Sequence, residues 1–81
     1  MTIERMRELH RAHPFRPFVM HLAEGREVEV RHQVFMAFSP GGLTIVVFHP
    51  DDSMNIIDLL LVTDVHLGRR NGGRRSRRRP D

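Results

Sequence analysis

Phe18-Val19-Met20-His21-Leu22-Ala23-Glu24-Gly25-Arg26-Glu27-Val28-Glu29-Val30-Arg31 is the stretch on which the fold turns. Phe18, Met20 and Leu22 alternate with Val19 and His21. After Ala23 to Arg26 the period of two resumes, with Val28 and Val30 against Glu27, Glu29 and Arg31. Such a period belongs to a strand with one buried face, because successive side chains point to opposite sides of a sheet. Two such runs around Gly25 predict a β-hairpin, in which Gly25 takes the positive φ of a type I turn with a G1 bulge.

Upstream, Thr2 suits an N-cap, Glu4 suits the positive end of a helix dipole, and Ile3, Met6, Leu9 and His13 fall near one face of a 3.6-residue period. One short helix over residues 2–12 follows, ended by Pro14, with Pro17 keeping residues 15–18 extended. Downstream, His32 to Phe35 loses the alternation and reads as a turn or a single 3₁₀ turn. A short strand at Met36 to Phe38 and the turn Ser39-Pro40-Gly41-Gly42 lead into a strand over Leu43 to Phe48. His49 to Ser53 turns the chain into a strand over Met54 to Ile57, Asp58 to Leu61 bends, and Val62 to Leu67 forms the last strand. One helix and five to six short strands joined by tight turns predict a mainly β (α+β) domain. The expected form is a small SH3-like or Sm-like barrel, or a bent antiparallel sheet with the helix over one opening.

The chain has 81 residues and no Cys, so its core is thin and no disulfide supports it. A core of this size supplies roughly 3–5 kcal/mol, and chains like it commonly lean on a partner subunit. Leu43 to Phe48 is apolar on both faces, which predicts that this strand is central or that its outer face meets the helix or a second subunit. Self-association is therefore expected. Val19, His21, Leu43, Ile45 and Val47 are the expected protein-contact residues, because half-apolar strand faces on so small a domain are hard to cover internally. The first eight residues lack a signal-like apolar run, and no segment approaches the ~20 apolar residues of a membrane span, so a cytoplasmic location without membrane contact is expected.

The net charge of +3 combines two parts of opposite sign. Residues 1–67 carry six Arg against nine Asp or Glu, a net −3, and residues 68–81 carry seven Arg against Asp81, a net +6. The domain is expected over 1–67 and a disordered Arg-rich tail over 68–81, since the tail has no apolar side chain to bury. Arg69, Arg70, Arg74, Arg75, Arg77, Arg78 and Arg79 could hold RNA or DNA phosphates without sequence preference, or could simply solubilise the chain.

His10 and His13 have a spacing that can place two imidazoles on one metal, but no Cys or carboxylate accompanies them locally, and neither metal nor cofactor is expected. The chain has no Cys, Tyr, Lys or Trp, and its Ser residues lie in turns or in the tail without a local base, so no catalytic residue is assigned and no enzyme is expected. An EF-hand loop starting at Asp51 would need Gly and Glu where Ile56 and Val62 stand.

Leu22-Ala23-Glu24-Gly25-Arg26 followed by Asp51-x-x-Met54-Asn55 resembles the first half of the Sm signature, which implies nucleotide-binding positions at Asp51 and Asn55. The sequence departs from it by an extra hairpin between the two elements. Pro14-Phe15-Arg16-Pro17-Phe18, His21-Leu22-Ala23 with Gly25-Arg26, Ser39-Pro40-Gly41-Gly42 and Ile56-Ile57-Asp58-Leu59-Leu60-Leu61-Val62-Thr63 resemble a group of small uncharacterised bacterial proteins, numerous in planctomycete-like genomes. That resemblance spans residues 2–67, excludes the tail and implies no activity.

Overall fold

In the computed structural model, which describes residues 1–68, the order is α1 (Ile3–Arg11), β1 (Phe18–Leu22), β2 (Glu27–Val30), β3 (Met36–Phe38), β4 (Thr44–Phe48), β5 (Met54–Asp58) and β6 (Val62–Leu67). Thr2 caps α1, its Oγ1 accepting from the Arg5 amide at 3.2 Å, and the chain turns extended at Ala12 ahead of Pro14. The hairpin between β1 and β2 is closed by the Gly25 amide donating to the Leu22 carbonyl and by the Leu22 amide donating to the Arg26 carbonyl, each at 2.9 Å. Gly25 has φ +105°, the left-handed geometry that a G1 bulge requires.

The six strands form two antiparallel sheets of three. The first sheet has the order β2-β1-β6 and the second β3-β4-β5, so β1 and β4 are the central strands. Single 3₁₀ turns at Gln33–Phe35 and Leu59–Leu61 connect β2 to β3 and β5 to β6. No ladder runs across either corner, so the sheets do not close into a barrel. Each 3₁₀ turn takes three residues out of strand geometry and points a side chain outward, which leaves Val34 and Leu60 exposed. Each sheet is extended by one bond beyond its ladder, the Leu59 amide donating to the Leu43 carbonyl at 2.9 Å in the second sheet and the Ala23 amide to the Leu61 carbonyl at 2.8 Å in the first.

One core lies between the sheets. Phe18, Met20, Leu22, Val28 and Val30 enter it from the first sheet, Met36, Ile45, Val47 and Ile57 from the second, and Met6 from the helix. Alternation accounts for this set: each of these strands contributes every second residue to the interior. The helix lies close to the turn before β4. A Cβ at Gly42, which has φ +78°, would stand 2.7 Å from Ile3 Cγ1, so only glycine admits the helix there. Among the described residues no helix is long and apolar enough to cross a membrane.

Candidate interaction surface

The outer face of the second sheet is set by register. Ala37, Val46 and Ile56 stand in one row across β3, β4 and β5, Phe48 faces Met54 in the next, and Thr44 faces Asp58 in the third. Their neighbours Ile45, Val47 and Ile57 point into the core, so these side chains point out. Ile56 is 65% exposed, Met54 53% and Phe48 44%, a contiguous apolar surface with Asp58 as its one charge. Scattered exposed apolar residues need no explanation, but adjacent ones in sheet register make this face a candidate interaction surface.

This surface ends at an open strand edge. The His49 amide donates to the Ser53 carbonyl and the Leu59 amide to the Leu43 carbonyl, each at 2.9 Å. In an antiparallel ladder hydrogen-bonded pairs occur at every second residue, so Asn55 and Ile57 carry the bonds to β4. The backbone N–H and C=O groups of Met54, Ile56 and Asp58 therefore point away from β4, on the side where the sheet order has no further strand. Unpaired edges of this kind template strand addition.

The structure redistributes the contact residues expected from the sequence. Ile45 and Val47 are buried completely, because Ile45 stands between Phe38 and Ile57 and Val47 opposite Met36, and this apolar set faces the first sheet. The outward positions of β4 are Thr44, Val46 and Phe48, the opposite parity. Val19 is only 2% exposed, in a row with Glu29 and His66 on the outer face of the first sheet. Leu43 is exposed just before β4, and His21 is half-buried. Met54 and Ile56 were missed because Met54-Asn55-Ile56-Ile57 carries apolar residues at both parities and does not mark its outer side. The signal for that side was the pairing of Val46 with Ile56 in the ladder.

His21 lies between two carboxylates, its Nδ1 2.7 Å from Asp64 Oδ1 and its Nε2 3.3 Å from Glu27 Oε2, one from each neighbouring strand. His10 Nε2 sits 2.9 Å from the Gln33 carbonyl oxygen, engaged in packing the helix. Among the described residues no group of three His, Cys, Asp or Glu side chains could hold a metal ion.

The two positions of the Sm-like element are engaged within their own hairpin. His49 Nε2 is 2.5 Å from Asn55 Oδ1, and Asp51 Oδ1 accepts from the Ser53 hydroxyl at 2.5 Å and the Ser53 amide at 3.0 Å. Those two bonds hold the Asp51 carboxyl below its ordinary range by stabilising the charged form. The arginines assigned to nucleic acid, Arg69 to Arg79, lie outside the described residues.

Fold and surface together define a small, mainly β protein with one N-terminal helix and an apolar open sheet edge. Compared with protein families, curated proteins and solved structures, the chain finds no match in any of the three.

Proposed function

We propose that the chain is a non-enzymatic protein-interaction and assembly module that associates with a second copy of itself through β5 and the outer face of the second sheet. The observation that carries this is the coincidence of exposed Phe48, Met54 and Ile56 with outward-pointing backbone groups at Met54, Ile56 and Asp58. A two-fold axis at Ile56 places β5 antiparallel to its copy, with Ile56 opposite Ile56 and Met54 opposite Asp58. All three residues then fall on hydrogen-bonding positions, and no like charges meet. The same patch serves both subunits, as a closed dimer requires. The two sheets become one of six strands, and the apolar rows of both copies run on.

Light-scattering mass after size exclusion tests this on the full chain and on Ile56→Lys. The expected result is a dimer for the natural chain and a monomer for the variant, since an edge lysine blocks strand pairing without entering the core. A natural chain that runs as a monomer at about 100 μM, a concentration at which micromolar pairing saturates, sinks the reading. In a second reading the arginines of residues 69–79 hold RNA or DNA phosphates; it is favoured by the net +6 of residues 68–81 and predicts binding that falls steeply with salt and is lost on truncation after Leu67.

A further inference from the structure

A cleft of about 540 Å³ separates α1 from β3, lined by Arg7, His10 and Arg11 on the helix and by residues 36–40 of the strand and the turn after it. Ile3 approaches Gly42, the Arg7 guanidinium lies 6.0 Å from the Phe38 ring centroid, and His10 exchanges contacts with Gln33, whose Nε2 donates to the His10 carbonyl at 2.8 Å. Positions 3, 7 and 10 thus meet 42, 38 and 33 in order, so the helix runs antiparallel alongside β3.

β3 is an edge strand, and its free side is the one along the cleft. The Ser39 amide donates to the Thr44 carbonyl at 2.9 Å, so the ladder to β4 uses Ser39 and Ala37 and turns the N–H and C=O of Phe38 the other way. The Met36 carbonyl points out with them, while the Met36 amide donates to the Gln33 carbonyl. The facing wall is cationic. Arg5, Arg26 and Arg31 each hold a carboxylate, but Arg7 and Arg11 form no ion pair among the described residues, and neighbouring Glu8 is taken by Arg5 at 3.2 Å.

We infer that this cleft binds an extended segment of a partner protein that carries two carboxylates two residues apart, added as a further strand to β3. The spacing selects that pattern. Arg7 and Arg11 are separated by about 6 Å along the helix, and alternate side chains of an extended chain by about 6.6 Å. Main-chain bonds to Phe38 and Met36 hold the segment, and the two guanidinium groups read its acids. The site lies on the edge of the second sheet opposite β5, so its test and the dimer test fail independently.

The experiment is fluorescence anisotropy of the full chain with a labelled hexapeptide alternating valine and glutamate, beside the same peptide with glutamine for glutamate. Saturable binding is expected, weakened about tenfold by glutamine and about tenfold again in Arg11→Glu, an exposed position. Hydrogen exchange at the Phe38 amide slows on binding while that at Ile56 is unchanged. Equal affinity of the two peptides, no saturation by about 1 mM, or unaltered exchange at Phe38 overturns the inference. Should Arg11→Glu unfold, the glutamine peptide and the Phe38 amide still decide. If the peptide instead splits an oligomer of the chain, the occupant is a second copy and the partner assignment falls.

Discussion

The two sheets turn the same kind of strand outward in opposite ways. On the first sheet the outer rows are Glu27, His21 and Asp64, then Glu29, Val19 and His66, with Arg31 3.5 Å from Glu29. His21 pairs with carboxylates on both neighbouring strands, Glu29 pairs with Arg31, and the one apolar residue among them, Val19, is buried. On the second sheet the matching rows are Ala37, Val46 and Ile56, then Phe48 and Met54, with nothing charged but Asp58 at one end. An antiparallel sheet is stable with one solvated face, and the first sheet is built that way. The second carries side chains that gain from removal from water, beside a strand whose hydrogen bonds are unmade. This difference is the reason the proposed interface is placed on the second sheet.

Adjacent residues of β5 give the strongest test of that contrast. Ile57→Ala opens a cavity in the core and is expected to destabilise the fold by about 2–5 kcal/mol. Ile56→Ala is expected to change fold stability by less than about 0.5 kcal/mol while weakening the dimer. Urea unfolding at a dilution where both variants are monomeric, with scattering mass on concentrated samples, separates the two, because dimer linkage would otherwise enter the unfolding curve, and equal stability losses would erase the distinction between the faces. The turns offer a smaller difference. Gly42→Ala meets both a positive φ and the Ile3 side chain, whereas Gly25→Ala meets only a positive φ with open space around it. The Gly42 variant is expected to lose about 1–3 kcal/mol, more than the Gly25 variant, in the same unfolding assay.

On the first sheet, His21→Ala removes a half-exposed link between Glu27 and Asp64 and is expected to cost no more than about 1 kcal/mol. The scattering mass of this variant stays that of the natural chain, and a shift to monomer would move the interface to the first sheet. The smallest effect concerns Asp51. Its carboxyl is held low in the folded state by Ser53, so its contribution is present above the unfolded carboxyl range and is lost as pH falls through the lowered value. Ser53→Ala removes the hydroxyl bond and keeps the amide bond, which moves the Asp51 midpoint part of the way back up in an NMR titration.

Much of this architecture was legible residue by residue. The period of two in Phe18 to Leu22 and Val28 to Val30, broken at Gly25, marked the first hairpin, and the loss of period at His32 marked a turn that the structure makes 3₁₀, while Asp58 to Leu61 read only as a bend where the structure has a second 3₁₀ turn. These are local signals, since pleat, turn chemistry and capping act over a few residues. The parity of Leu43 to Phe48 was not legible, because a run that is apolar throughout gives no preference for either face. The arrangement as two sheets depended on whether β2 met β3 and β5 met β6 across their corners, which are contacts between segments rather than properties of either one.

By itself the sequence determined the identity and nearly the bounds of the helix and six strands, the turn glycine at Gly25, the thin disulfide-free core and the opposed net charges of residues 1–67 and 68–81. Tertiary structure alone decided that Ile45 and Val47 face inward while Val46 and Ile56 face outward, that β3 and β5 are the open edges of one sheet, and that Arg7 and Arg11 overlook the first of those edges. The physical reason is the range of the interactions. Backbone geometry and side-chain alternation are written in neighbouring residues, whereas which face is buried and which edge is bare depends on strands brought together from distant parts of the chain.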